Sequence, residues 1–545
     1  MNAIEIVLAL LVVLVALSTL ARRIHVPYPI VLVLGGLALG AVRGLPAVKL
    51  DPNVVLLLFL PPLVYGAAWQ TSARDLRANL RSILLLAIGL VVCTTVAVAA
   101  VSRRALDGLL PWPAAFLLGA IVSPTDTVAA EAIITRLSVP RRIITVLTGE
   151  SMLNDATGLV VYGFAVVAAE TNTFSLPSAG LAFVEASVGG VAIGLAVAVV
   201  ADWIQRRIAD VPTAIVFSLL TPYAAYLPSQ YLEHVLPVSG VLAAVAAGLY
   251  GGWREPVTLS SDARLQAYPV WNVATFVVNG LIFILVGLQL GAIVENLLDP
   301  RQYPGGHVPY TPATLIWYAV LVSLAAVVVR VAWVFPATYL PRLLSRHVRE
   351  RDPYPGWRNV VVIAWTGMRG GVSLAAALAL TVRGDLSRPQ VNLIVFLVFG
   401  VILGTLVAQG LTLPLVIGRL GLTDDSAAAT REEATARLTA MQAVLARLSD
   451  DAPSTGATPE GVAHLRTFYT KRADHLASHL DGSAPNGDGA SSGEAADPLH
   501  DLRRLKREMI RIERDAVIGL RNRGVIGDDT LHRIEHDLDL DEVRL

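Results

Sequence analysis

Glu150, Ser151, Asn154 and Asp155 stand within six residues of one another in "GESMLNDATGLV" (149–160), a run whose surroundings are otherwise fit for a lipid interior. An ionised group deep in a membrane span costs at least about 2.5–3.5 kcal/mol, so it is kept for a function or for a partner. On a helix, Ser151 and Asp155 are i,i+4 neighbours and share one face. Glu150 and Asn154 form a second such pair beside them. One face therefore presents a carboxylate with a hydroxyl, and the other carboxylate is directed elsewhere. Carboxylate, hydroxyl and carbonyl oxygens together suit a hard monovalent cation, and the same carboxylate can take a proton instead.

Two further stretches carry polar or helix-breaking groups inside apolar runs. In "SPTDTVAA" (123–130), Pro124 removes a backbone donor and disfavours helix at Ser123, and Thr125 and Asp126 follow directly. In "GMRGGVSLAAALAL" (367–380), Gly367, Gly370 and Gly371 flank Arg369, and such glycines weaken a helix. Broken backbone at membrane depth is tolerated where it is buried in protein or lines a wet cavity. Its freed carbonyls can then bind a cation. Arg369 needs a counter-charge, which Glu150 or Asp126 could supply. Glu150 is favoured, because Asp155 then stays free to bind and release ions and Asp126 can compensate the broken-helix dipoles. Asn279, in "FVVNGLIF", reads as a helix-packing residue.

The elements that must position these groups follow from composition. The chain has 545 residues, 54% hydrophobic and only 16% charged, against about a quarter charged in soluble domains. That deficit of charge indicates a membrane protein. Zero net charge gives no bulk field for nucleic acid, and the single cysteine, Cys93, excludes a disulfide framework. Thirteen apolar runs of about 20 residues recur between residues 3 and 418, the fifth at 113–131, the sixth at 142–168 and the twelfth at 359–381. The first run lacks a basic start and a clear cleavage site and is read as a retained span. With the N-terminus outside, the loops expected in the cytoplasm and the end of the last span hold eighteen basic residues, against seven in the others. That bias predicts a cytoplasmic C-terminus. The fifth and twelfth spans are seven apart and cross in opposite directions, which points to an inverted repeat of spans 1–6 and 8–13. Residues 1–423 form the expected membrane domain. Residues 424–545 read as a helical cytoplasmic tail, with a regulatory or dimer-supporting role and a flexible Gly/Ser/Ala linker at 482–498.

The three motifs resemble those of the NhaP/NHE-type monovalent cation:proton antiporters. "GESMLNDATGLV" is similar to their GES-x-x-ND signature, "SPTDTVAA" to their unwound fifth helix and "GMRGGVSLAAALAL" to their arginine-bearing twelfth helix. The acidic end "LHRIEHDLDLDEVRL" is similar to the tails of bacterial members. The resemblance implies an all-α, NhaA-like bundle with two crossed broken helices, assembled as a homodimer in the plasma membrane. It implies that Asp155 alternately binds a proton or a cation, with Ser151 and the backbone at Thr125 as further oxygen ligands and Asn154 beside them. It also implies an ion pair of Glu150 with Arg369, and Pro124, Asp126 and Gly370 as support for the breaks. No cofactor is implied beyond the transported cation, sodium first, with lithium or potassium as alternatives. Many relatives carry a glutamate in the third span where this chain has Gly66.

A carboxylate that either ligand neutralises makes exchange obligatory, and one titrating carboxylate gives electroneutral exchange. The rival class is an intramembrane aspartyl protease with Asp126 and Asp155 as a dyad sharing a proton. The sequence lacks the "GxGD" segment of such enzymes and leaves Arg369 without a role there. A channel would need a filter-like segment, which the sequence does not contain.

Overall fold

The structure is a computed structural model and describes residues 3–42, 55–106, 108–134, 137, 139–171, 176–232, 236–302, 308–380, 387–422, 426–450, 459–480 and 499–543. The expected linker at 482–498 lies outside the described residues, among which no strand occurs.

Helices lie over all of the apolar runs. The first four fall on α1 (Ala3–Arg23), α2 (Tyr28–Gly40), α3 (Leu60–Trp69) and α4 (Ala73–Ala105). The fifth falls on two short helices, α5 (Trp112–Val122) and α6 (Val128–Ile134), and the sixth on α7 (Arg141–Thr171). Next come α8 (Leu176–Gln205), α9 (Val211–Leu232), α10 (Gly240–Thr258), α11 (Ser261–Leu297) and α12 (Pro312–Leu344). The twelfth run is again divided, into α13 (Trp357–Trp365) and α14 (Gly371–Ala379), and α15 (Arg388–Leu420) completes the set. Eight of the described helices are long and apolar enough to cross a membrane. Apolar side chains such as Val12, Val188 and Trp317 are exposed on them, as an apolar surrounding permits.

The chain divides into two compact units. The first comprises residues 1–204, 216–253 and 270–423. Its main core joins Leu117, Leu118 and Ile121 of α5 to Val322 of α12 and to Leu393 and Leu397 of α15. That core encloses both broken helices. α15 ends on Gly421, whose φ of +57° is the left-handed conformation that glycine adopts without a Cβ penalty.

The second unit gathers residues 205–215 and 254–269 with 424–545. Its tail helices are α16 (Ser426–Asp450), α17 (Pro459–Leu480), α18 (Leu499–Asn522) and α19 (Asp528–Val543). Met441, Val444, Leu465, Tyr469 and Met509 form one core, and Ala436, Val517, Leu531 and Ile534 another. Ion pairs of Arg533 with Glu433 (2.7 Å) and Arg437 with Asp537 (2.5 Å) tie α16 to α19.

Candidate functional site

Both interruptions have an identifiable local cause. Ser123 keeps helical backbone angles (φ −65°, ψ −40°), although a following proline disfavours them, and the chain leaves the helix at Pro124. Residues 124–127 are non-helical until α6 begins at Val128. In the twelfth run, α13 stops at Trp365, and the glycine-rich stretch 366–370 is non-helical until α14 begins at Gly371. The two breaks meet at the backbone, where the Asp126 N–H donates to the Met368 carbonyl at 2.8 Å.

The charges at the breaks sit where the half-helix dipoles call for them. Asp126 Oδ1 accepts the Val128 N–H at 2.9 Å, capping α6 with a negative charge at its positive end. Arg369 is buried and donates from Nε to the Val122 carbonyl at 3.1 Å, and from Nη1 to the Gly367 carbonyl. Its cation therefore satisfies carbonyls freed at the C-terminal ends of α5 and α13, where a helix end is negative. Its backbone N–H donates to Thr405 Oγ1 on α15 at 3.2 Å.

This corrects the expected ion pair of Glu150 with Arg369. Glu150 is held instead by Arg330 of α12, bidentately, at 2.5 Å from Nη1 and 2.9 Å from Nη2. Both side chains are at most 1% exposed. Arg330 also donates to the Ile363 carbonyl on α13 at 3.2 and 3.1 Å, so one guanidinium joins three helices. Arg369 has carbonyl partners enough without a carboxylate. The alternative counter-charge, Asp126, is occupied in capping α6. Sequence reading passed over Arg330 because it lies in "AAVVVRVAWVFP", an apolar run that holds its spanning length despite one charge. The signal was present: an arginine within a span needs a partner wherever it stands.

Around Thr125 the sixth and fifth spans converge. Ser151 Oγ donates to the Thr125 carbonyl at 3.1 Å. Asn154 Nδ2 donates to the Thr125 hydroxyl at 2.8 Å and to its carbonyl at 3.3 Å. The Thr125 hydroxyl in turn donates to Glu150 Oε1 at 3.0 Å. A chain of hydrogen bonds thus runs from Asn154 through Thr125 and Glu150 to Arg330. Glu150 does not face away from the site. It anchors it. Asn154 Oδ1 is buried and accepts no hydrogen bond among the described residues.

Asp155 lies on the same face of α7 as Ser151. It is half-buried, and among the described residues nothing hydrogen-bonds to its carboxylate. The arrangement brings together Asp155, Ser151, Asn154 and Thr125, supplying carboxylate, hydroxyl, carboxamide and carbonyl oxygens around a broken helix. Asp126 is half-buried as well and caps α6, and among the described residues no hydrogen bond joins it to Asp155, so the shared-proton dyad of an aspartyl protease has no support.

Close approach fixes two glycines here. A Cβ on Gly158 of α7 would clash with the Pro124 ring. A Cβ on Gly370 would lie inside the contact distance of the Asp126 carboxylate. Gly370→Ala is accordingly expected to push Asp126 off the Val128 N–H, costing on the order of 1–3 kcal/mol. The expected readout is a lower apparent melting temperature in purified protein, with reduced exchange. Gly356→Ala, where nothing lies within 4 Å of the added carbon, should leave both unchanged. Equal behaviour of the two variants would contradict the close approach.

Gly66, where a glutamate is common in the resembled family, packs against the Trp271 ring, 3.3 Å from where a Cβ would stand. Trp271 is buried, stacks on Tyr65 at 5.4 Å between ring centroids and donates to Ser218 at 3.1 Å. An aromatic stack occupies this position.

The family profile described as sodium/hydrogen exchanger, transmembrane, matches residues 7–418. An uncharacterized Na+/H+ exchanger of Mycobacterium tuberculosis is 36% identical over 544 residues, covering 99% of this chain and 96% of its own length. A sodium, potassium, lithium and rubidium/H+ antiporter of Bacillus pumilus is 32% identical over 425 residues, 76% of this chain and 61% of its own. Among solved structures, the sodium proton antiporter MjNhaP1 of Methanocaldococcus jannaschii superposes with a TM-score of 0.59 at 18% identity. That match covers 77% of this chain and 99% of the other. At that identity the likeness is one of fold.

Proposed function

This chain belongs to the sodium/hydrogen exchanger family of multi-pass membrane cation:proton antiporters, and from that premise we propose an electroneutral exchange of one sodium ion for one proton. One observation supports it above the others: the half-buried Asp155 carboxylate, without a hydrogen-bond partner among the described residues, on the helix face of Ser151 beside Thr125 and Asn154. Asp155 takes either a proton or the cation. With the cation bound, the Ser151 hydroxyl, the Thr125 carbonyl and the Asn154 carboxamide supply the remaining oxygens, all suited to a hard ion.

Either ligand neutralises Asp155, so the loaded forms can reorient and the bare carboxylate is disfavoured from crossing. The two broken helices reorient together, exposing the site alternately to each side. The protein works as a homodimer in the plasma membrane, N-terminus outside and tail in the cytoplasm. The side-chain cluster in which Arg81, Arg142 and Arg342 meet Asp352, at 2.8, 2.5 and 2.6 Å, favours this orientation. It joins three of the basic ends that the loop charge assigns to the cytoplasm. Lithium and potassium compete for the same oxygens. The Bacillus relative is described as accepting sodium, potassium, lithium and rubidium.

The stoichiometry is tested in potassium-free proteoliposomes under a potential set by a permeant-anion gradient. The expected result is a rate unchanged between zero and imposed potential, because no net charge moves. A rate that rises or falls with potential overturns the one-for-one exchange.

A further inference from the structure

The second unit contains a buried cluster of charge that the exchange chemistry does not use. Arg264, in the first turns of α11, is clasped by Asp539 of α19 through Nε at 3.0 Å and Nη2 at 2.5 Å. Its Nη1 donates to the carbonyls of Pro256 and Leu259 at the end of α10. Arg514 of α18 donates to Asp539 (2.7 Å), Glu542 (2.8 Å) and Ser261 (3.1 Å), and Ser261 donates to Glu542 at 2.7 Å. Two more carboxyls are buried in the same place. Glu255 lies near the end of α10, past its apolar run, and accepts from the Tyr268 hydroxyl at 2.8 Å, while Glu535 projects from α19. Each has a buried oxygen, Oε1, with no hydrogen-bond partner among the described residues.

The charges do not balance. Glu255, Glu535, Asp539 and Glu542 set four carboxyls against Arg264 and Arg514, and both guanidinium groups are committed to Asp539. Arg521, a further cation acting on Glu535, pairs with Asp528 at 3.4 Å. On its other side α19 faces Glu432, Glu433 and Arg437 of α16, and these are engaged with Thr530, Arg533 and Asp537. Two protons, one each on Glu255 and Glu535, bring the cluster to neutrality.

We propose that this cluster is a latch. It holds α19 against the α10–α11 connection while Glu255 and Glu535 are protonated, and releases the tail helix when both ionise. Burial raises Glu255 to about 8 and Glu535 to about 7, whereas a released carboxyl returns to the ordinary range. Docking therefore takes up protons. It is strongest where both groups are protonated in either state, weakens as pH climbs out of the ordinary carboxyl range, and has lost the whole contribution once both raised values are passed. His532, packed edge-on against the Tyr268 ring at 6.1 Å, is pushed down by burial and opposes docking only on the acid side. Two raised carboxyls outweigh the one histidine, so the latch loosens steadily above the ordinary carboxyl range, still holds near neutrality and opens toward alkaline pH. Both α10 and α11 continue in sequence from this unit into the first.

The test uses the full chain in lipid nanodiscs. Spin labels are placed at the exposed positions Gln266 and His536, with Cys93→Ser removing the native thiol. In the parent, the short-distance population should dominate at about pH 6.5, with the docked-to-released ratio falling about a hundredfold by about pH 9, the equivalent of two pKa units. In the Glu255→Gln/Glu535→Gln variant the short distance should persist at about pH 9. Distances that do not change with pH in the parent overturn the latch. So does a double variant that opens as the parent does, or one already released at about pH 6.5.

Discussion

Asp155→Asn is expected to abolish cation-driven proton movement in everted vesicles. With the interior preset acid, sodium, lithium and potassium should all fail to dequench a pH dye, while the parent responds to at least sodium. Asparagine keeps the shape and an oxygen but removes the one group that can trade a proton for a cation, so binding competition disappears. Because nothing among the described residues hydrogen-bonds to that carboxylate, the substitution breaks no structural contact. Expression and melting temperature should stay near the parent's. Asp155→Asn vesicles that exchange as well as the parent's would refute the central assignment. Ser151→Ala should act differently, because it removes a ligand and not the titrating group: it should raise the cation concentration for half-maximal exchange and leave exchange measurable.

The largest effect on stability is expected at Glu150 and Arg330. Both are essentially inaccessible, so truncating either leaves an uncompensated charge in a medium that cannot solvate it, at a cost of about 3–5 kcal/mol. Arg330→Met and Glu150→Gln should each lower the melting temperature and the yield sharply. The double substitution should recover part of the loss, since it removes both charges at once. Full recovery is not expected, because Arg330 also supports the Ile363 carbonyl and Glu150 accepts the Thr125 hydroxyl. Arg369→Met should not be rescued by any Glu150 substitution. If it were, the pairing seen here would be wrong.

These two sites also show how far the sequence could be read. The apolar runs, the two interruptions and the face shared by Ser151 and Asp155 are local properties, set by hydropathy, Pro124, the glycines and the helical period. All of them have a direct counterpart in the structure. The partner of Glu150 is a different kind of fact. Two arginines, Arg330 and Arg369, stand in apolar runs, and only the packing of α7, α12 and α13 decides which one meets the carboxylate. The same holds for Gly66. A missing glutamate is visible in the sequence, but the Trp271 ring that occupies its place arrives from more than two hundred residues away. The grouping of 254–269 with the tail had no signal in composition, because it depends on single contacts such as Arg264 with Asp539.

The joint between the two interrupted helices combines a main-chain bond, the Asp126 N–H on the Met368 carbonyl, with one side chain, the Arg369 guanidinium on the Val122 carbonyl. A side-chain substitution at Met368 leaves the carbonyl where it was, so the frame is insulated from most mutational drift. Evolution, or a laboratory selection, is therefore free to retune ion preference at Ser151 and Asn154 without rebuilding the scaffold. The exceptions are Arg369, whose side chain makes the second bond, and the pair of positions where the frame tolerates no added atom, Gly158 and Gly370. A saturation library over the site should recover functional diversity at the first pair and almost none at the second.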